Sequence, residues 1–127
     1  MTDDEIDALE AGVRLDFKVA KACDVEFYSS TSIGRRGEIG PPSVVVLDEN
    51  KNAKPFRPSS DWNDAMWAAE KARLFYPDGF LDFDHSGEWR VQELDMCTPE
   101  ARVITSHKCG PVAICRAILK AIKNAST

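Results

Sequence analysis

Apolar residues repeat at helical spacing in three stretches of the chain. In the first stretch they recur every three or four positions, at Ile6, Leu9, Val13, Phe17 and Ala20, which places them on one helix face. The preceding Thr2-Asp3-Asp4-Glu5 has the form of a capping box, with a hydroxyl at the helix start and a carboxylate three residues later. Because Gly12 has a low helix propensity, we expect this stretch to be weakened in its middle or split into two helices.

The other two helical stretches lie in the middle and at the end of the chain. After Pro58, the sequence Ser59-Ser60-Asp61 supplies a helix start, and an apolar stripe follows at Trp62, Ala65, Ala69 and Ala72. The closing stretch begins at Gly110-Pro111 and continues in a stripe at Val112, Ile114, Cys115, Ile118, Leu119 and Ile122. Since this stripe is wide, we expect the closing helix to be the most deeply packed in the protein.

Between these helices the pattern becomes that of strands and turns. The β-branched run at residues 43–47 predicts a short buried strand. Residues 80–84 and 89–94 predict a β-hairpin, and residues 101–105 predict a further strand. Residues 29–42 contain three glycines and two prolines and are expected to form a loop.

Length and composition agree with a single domain over residues 1–127. Of the 127 residues, 43% are hydrophobic and 29% are charged, values typical of a globular domain of common size. No apolar run approaches the roughly 18 residues that a membrane helix needs. The acidic N-terminus leads into no apolar signal segment, so we expect a cytoplasmic protein.

Charge is distributed unevenly along the chain. The formal net charge is −5, which disfavours direct DNA binding because such binding relies on neutralising phosphates. The first ten residues are strongly acidic, whereas residues 101–127 contain no acid but carry Arg102, Lys108, Arg116, Lys120 and Lys123. This basic segment is either a solvated face with cations near a helix C-terminus, or a surface for an anion or an acidic partner.

Three segments share their features with one known family. The first runs from Leu15 to Cys23, the second from Phe56 to Lys71 with the helix start Pro58-Ser59-Ser60-Asp61, and the third from Gly110 to Lys120. Together with Trp89-Arg90-Val91, they resemble the phage ABA sandwich domain family, a group of small phage and prophage proteins.

This resemblance implies an α+β fold, a three-layer α/β/α sandwich with helices on both faces of a mostly antiparallel sheet. It also implies a phage or prophage origin, and it implies no reaction. The chain departs from the family at Cys109-Gly110, where the family often has a Ser or Thr helix cap. The loop expected at residues 29–42 is longer than usual, and such a loop is a place for a function particular to this protein.

The cysteines and histidines form no pattern typical of a metal site. Cys23, Cys97, Cys109 and Cys115 include no Cys-x-x-Cys pair, and only Cys97, His107 and Cys109 form a loose ligand-like cluster. Because neighbours in sequence rarely present both groups to one substrate, His107 and Cys109 are not expected to form a catalytic pair. We therefore expect free thiols and no bound structural metal.

The remaining polar residues do not predict catalysis either. His85 falls in a predicted hairpin turn and is expected to be exposed. Asp61 and Asp64 share a helix face, as Asp82 and Asp84 share a strand face, but a helix start explains Asp61 and the solvent side of a hairpin explains the second pair. We expect no enzymatic activity and no cofactor.

Three places in the sequence are candidates for ligand binding. Gly34-Arg35-Arg36-Gly37 places two forked cations between glycines, which suits a clamp for phosphate or carboxylate. Trp67 lies off the apolar stripe of its helix and predicts an exposed aromatic at a ligand or dimer surface, whereas Trp62 and Trp89 are expected in the core. Arg116 on the closing helix is the alternative anion site.

The sequence therefore predicts a non-enzymatic phage or prophage accessory protein of the bacterial cytoplasm. It would bind a host protein or an anionic small molecule such as a nucleotide, in an anti-defence role, without a membrane or direct DNA contact. The alternative is a structural or scaffold protein that acts through homo-oligomerisation, using the aromatic and small residues of the helix at residues 62–74.

Overall fold

The computed structural model describes residues 2–33, 36–37, 39–47, 50–75, 79–94 and 101–125. In chain order the elements are α1 (Asp3–Asp7), α2 (Val13–Ala22), β1 (Phe27–Ile33), β2 (Ile39–Leu47), β3 (Ala53–Pro55), α3 (Trp62–Lys71), β4 (Gly79–Phe83), β5 (Trp89–Leu94), β6 (Ala101–His107) and α4 (Gly110–Ala125). This confirms the α+β class. Within the ranges described, no helix combines the length and the apolar character needed to cross a membrane.

The strands form two antiparallel three-stranded sheets where one sheet was expected. Their orders are β1-β2-β3 and β4-β5-β6, so each sheet follows the chain order. All the pairings described are antiparallel, and the predicted hairpin at β4–β5 is confirmed. The helix α3 separates the two sheets in sequence, and each sheet pairs only neighbouring strands, as short connections favour.

The expectation of a loop over residues 29–42 is wrong, because most of this segment pairs as β1 and β2. Ile33 pairs with Ile39, and a register shift beside this pair accommodates one extra residue of β2. The partner strand β3 covers only residues 45–47 of β2. The half of β2 that contains Pro41 and Pro42 therefore has β1 as its described neighbour, and proline is tolerated at such an edge.

The N-terminal stretch forms two helices separated at Gly12. The Thr2 hydroxyl oxygen accepts a hydrogen bond from the backbone N–H of Glu5 at 3.2 Å, which confirms the predicted helix start with Thr2 as the N-cap of α1. Gly12 has a φ of 151°, which side-chain-bearing residues rarely adopt. The sequence pattern thus identified both helices and the residue that divides them.

Ser59 and Asp16 connect α2 to the segment before α3. The Ser59 N–H donates to the Asp16 carboxylate at 2.9 Å, and the Gly12 N–H donates to the Ser59 hydroxyl at 3.0 Å. Both side chains are buried. Burial raises the pKa of the Asp16 carboxyl, and the hydrogen bonds from Ser59 oppose this shift.

The closing helix α4 is the centre of the packing. Residues 110–118 are all buried, and α4 contacts α1, α2, α3, β5 and β6. This confirms that the widest apolar stripe marks the most deeply packed helix. The facing side of α3 consists of small buried residues, Ala65, Ala68 and Ala69, which allow close approach of the two helices.

Candidate functional site

A groove on the outer side of α3 contains Trp67, the aromatic residue that the sequence singles out. Its volume is about 620 Å³, and its principal lining residues are Asn63, Met66, Trp67, Glu70, Arg73 and Phe75. Small-ligand pockets span roughly 300–1,000 Å³. The α3 residues recur at three- and four-residue spacing, so one helix face supplies most of the wall. We call this cavity the Trp67 groove.

Carboxylates fix the start of the helix that carries the groove. Asp61 is the N-cap of α3, and its Oδ1 accepts from the backbone N–H of Asn63 at 2.8 Å and of Asp64 at 3.2 Å. The Asp64 carboxylate in turn accepts from the Arg57 N–H at 2.9 Å. These bonds support the helix-start explanation of Asp61 and set the direction in which α3 presents its outer face.

The Trp67 ring is held by an aromatic contact and flanked by two ammonium groups. It packs edge-on against the fully buried Phe56, with 5.6 Å between ring centroids. The Nζ atoms of Lys54 and Lys71 lie 5.3 Å and 5.4 Å from the Trp67 centroid, close enough for cation–π attraction. The expectation that Trp67 is exposed is wrong, because the residue is half-buried and packs against the core. Its indole thus combines a fixed apolar surface with adjacent positive charge.

The charges around the groove favour an anionic ligand with a flat apolar part. Arg73 lines the groove and Lys71 adjoins its tryptophan, whereas Glu70 is the acidic residue in the lining. The Asn63 amide can both donate and accept hydrogen bonds. Aromatic surface, a few polar groups and excess positive charge are what a nucleotide-sized anion needs.

Lys71 lies four residues after Trp67, so its position beside the ring could be predicted from helix spacing. Lys54 comes from β3, and its position beside the ring could not be predicted from the sequence.

The expectation that Trp62 lies in the core is wrong, because its side chain is 41% exposed. Trp62 is the first residue of α3, at the end of the helix, and its ring centroid lies 4.9 Å from that of Trp89. A Cβ at Gly110 would lie 2.0 Å from the Trp62 ring. Any residue larger than glycine at this position would therefore force the ring to move. Trp89 is partly buried against the core, and it also contacts the exposed Phe83 at 4.9 Å.

The proposed arginine clamp lies at the turn between β1 and β2. Arg36 and Gly37 are exposed, and Gly37 has a φ of 76°, a conformation that glycine adopts without strain. Arg35 and Gly34 lie outside the described residues. The clamp therefore stays a prediction.

Arg116 is buried, and its guanidinium is occupied by the N-terminal segment. It is 6% exposed, and its Nε and Nη2 donate to the Leu9 carbonyl at 2.9 Å and 2.6 Å. Its Nη2 also lies 3.4 Å from Glu10 Oε1. These contacts stabilise the junction between α1 and α2 and leave little of Arg116 accessible to a ligand.

The basic face of α4 continues this pairing with α1. Lys120 Nζ lies 2.8 Å from Asp7 Oδ1, and Lys123 Nζ lies 2.9 Å from Asp3 Oδ1. The acidic partner of the basic segment is therefore, at these positions, the N-terminus of the same chain. The acidic N-terminal segment and the basic C-terminal segment indicated in the sequence that the two ends could pair. Which residues pair depends on the fold, which brings α1 and α4 into contact.

The candidate catalytic and metal-ligating groups have structural contacts. His107 Nδ1 accepts from the Cys109 N–H at 2.9 Å, and its Nε2 lies 3.6 Å from a Glu10 carboxylate oxygen. Burial raises the pKa of the Cys23 thiol to about 11 and also raises that of Cys115, so both thiols stay protonated at neutral pH. Cys97 lies outside the described residues.

The carboxylates of the second sheet are also engaged. Asp82 accepts from Arg90 at 2.6 Å and from Gln92 at 3.0 Å. Asp84 accepts from the Ser86 hydroxyl at 2.6 Å and from two turn N–H groups, which lower the pKa of its carboxyl. His85 is exposed in this turn, as expected. Among the residues that are described, no three His, Cys, Asp or Glu side chains form a group that could hold a metal ion.

Removing metal ions should leave the stability of the protein unchanged. Because Cys109 and His107 are bonded to protein groups, we expect no zinc-dependent folding. Melting curves followed by circular dichroism with and without EDTA should coincide. Stoichiometric zinc in the purified protein, with a lower melting temperature after chelation, would contradict this expectation.

Comparisons of the chain with models of protein families, with curated proteins and with solved structures found no match. The resemblance to phage ABA sandwich proteins consequently rests on the sequence motifs alone.

Proposed function

We propose that this protein is a non-enzymatic binding module that captures an anionic small molecule of the nucleotide class in the Trp67 groove. The observation that carries the proposal is the indole of Trp67, which lines a groove of about 620 Å³ and has two ammonium groups within 5.4 Å of its centroid. A base would lie against the indole, and the phosphates would face Lys54 and Lys71.

The energetics of such a complex favour this assignment. Stacking of a base on an aromatic side chain contributes about 1–3 kcal/mol, and charge-assisted contacts to phosphate add to it. Trp67 is already positioned by Phe56, so little side-chain entropy is lost on binding. The Asn63 amide supplies a donor and an acceptor for the edge of a base, and the Glu70 carboxylate supplies a further acceptor.

The wider setting of the proposal rests on the sequence resemblance. We propose a phage or prophage accessory protein acting in the bacterial cytoplasm, with an anti-defence role in which a nucleotide signal or a host protein is captured. We also propose that the helices and the two small sheets form the layers of an α/β/α sandwich. The α+β composition of the chain supports this arrangement.

Calorimetric titration with ADP, AMP and inorganic diphosphate tests the function directly. We expect ADP to bind more tightly than diphosphate, because only ADP offers a base to Trp67. Trp67→Leu should weaken ADP binding by about tenfold or more, as loss of a stacked base predicts. Lys71→Gln should weaken ADP and diphosphate alike, because it removes only a charge.

Two matched variants decide where an anion binds. Trp62→Leu removes an exposed indole that does not line the Trp67 groove and should leave ADP affinity unchanged. Arg36→Ala tests the β1–β2 turn, and a loss of affinity there, with Trp67→Leu unaffected, would place the site at the arginine clamp. If no nucleotide binds the parent protein, the proposed function is wrong.

A second candidate function is self-association through an exposed aromatic surface. Trp62, Met66 and Phe83 are 41%, 44% and 54% exposed, and Trp89 joins Trp62 to Phe83. The occupant that we propose for this surface is a second copy of the chain, because an isologous dimer would cover the same aromatic patch on both partners. Sedimentation should then show a dimer that Trp62→Ser disrupts, and a monomer at all concentrations would exclude this alternative.

A further inference from the structure

A second groove lies between α2 and α4, on the side where α1 packs. It has a volume of about 500 Å³. Its apolar lining comes from Ile6, Ala22, Leu119 and Ile122, and its polar lining consists of Lys18, Lys21 and Lys123. An apolar floor flanked by ammonium groups is complementary to a molecule that has an apolar tail and a negative head. We call this cavity the lysine groove.

The lysine groove already accommodates that combination of groups from α1. The Ile6 side chain is 1% exposed and forms part of the floor. The Asp3 carboxylate lies 2.9 Å from Lys123 Nζ at the rim, and this contact lowers the pKa of the Asp3 carboxyl. An apolar group and a carboxylate on one short segment are thus held by adjacent parts of the same groove.

The other two lysines of the groove, Lys18 and Lys21, make no such ion pair with a described residue. Lys18 and Lys21 lie one turn apart on α2, so their side chains project from one face. Within the described ranges, no acidic side chain pairs with either of them. The groove therefore has spare positive charge beside an apolar floor, although the protein as a whole is acidic.

We propose that the lysine groove binds a soluble long-chain carboxylate, with its hydrocarbon tail on the apolar floor and its head between Lys18 and Lys21. The size of the groove favours a single small amphiphile, because small-ligand pockets span roughly 300–1,000 Å³. The site is separate from the Trp67 groove, because the two grooves share none of the described lining residues.

Calorimetry with dodecanoate, kept below its micelle concentration, is the direct experiment. We expect saturable one-to-one binding, with dodecanol and butyrate each binding at least about tenfold more weakly, because each lacks one half of the recognised chemistry. The double variant Lys18→Gln, Lys21→Gln should weaken dodecanoate by about tenfold. Lys108→Gln, which changes an exposed lysine outside this groove, is the matched control and should not alter the affinity.

Further measurements make the outcome decisive. Leu119→Gln tests the floor and should weaken dodecanoate while leaving the melting temperature within a few degrees of the parent. Trp67→Leu should not affect dodecanoate, which keeps this result independent of the nucleotide experiment. Any of three results would overturn the proposal. These are equal affinities for dodecanol and dodecanoate, an unchanged dodecanoate affinity in the double lysine variant, and binding only to vesicles of anionic phospholipid.

Discussion

Replacing Ile118 with aspartate should unfold the protein. The Ile118 side chain is completely buried in α4, the helix that contacts the other three helices described and the second sheet. The substitution would bury an unpaired carboxylate in an apolar environment, at a cost on the order of 5 kcal/mol. Because domains are stable by only about 5–15 kcal/mol, the variant should be insoluble or lack a cooperative thermal transition in circular dichroism.

A conservative change at the same position provides the control. Ile118→Val removes one methyl group and should cost only about 0.5–1.5 kcal/mol, so this variant should fold with a slightly lower melting temperature. A soluble Ile118→Asp protein that melts within a few degrees of the parent would show that α4 is not the centre of the core.

The second large effect is expected from Arg116→Ala. This change removes both hydrogen bonds to the Leu9 carbonyl and the ionic contact with Glu10. Hydrogen bonds that involve a charged group contribute about 1.5–3 kcal/mol, and burial of the arginine stem adds packing. We expect a loss of about 3 kcal/mol in unfolding free energy and a melting temperature lower by about 10 °C.

The Arg116 result also separates a structural role from a binding role. ADP affinity in the Trp67 groove should not change in Arg116→Ala, measured well below its melting temperature. Arg102→Ala is the matched control, because the Arg102 side chain is 68% exposed and pairs with Glu93 at the surface, where such pairs contribute little. An unchanged melting temperature with lost anion binding would make Arg116 the ligand site that the sequence suggested.

The helices were the most predictable part of this fold. The stripe from Val112 to Ile122 and the start at Asp61 depend on local spacing and capping, which the sequence displays directly. The β1–β2 pairing was missed because glycine and proline are typical of loops, and whether Pro41 and Pro42 are tolerated depends on which edge of β2 lacks a neighbouring strand. The neighbours of β2 are set by the arrangement of the whole sheet and cannot be deduced from residues 29–42 alone.

The candidate site was predictable only in part, for the same reason. Trp67 could be selected because it lies off the apolar stripe of α3, but Lys54 reaches it from β3 across the tertiary structure. Trp62 followed the apolar stripe and was still exposed, since it lies at the first residue of its helix. Pairing of the acidic α1 with the basic α4 likewise required knowing that the two ends of the chain meet.

The most direct test of the proposed function is an NMR titration of the isotope-labelled protein with ADP, followed through the indole N–H signals of its three tryptophans. Binding in the Trp67 groove predicts that the Trp67 signal shifts saturably, together with the amides of Asn63 and Glu70, while the Trp62 and Trp89 signals stay in place. No shift at any indole, or shifts confined to Gly37 and its neighbours at the β1–β2 turn, would contradict the assignment of the Trp67 groove as the ligand site.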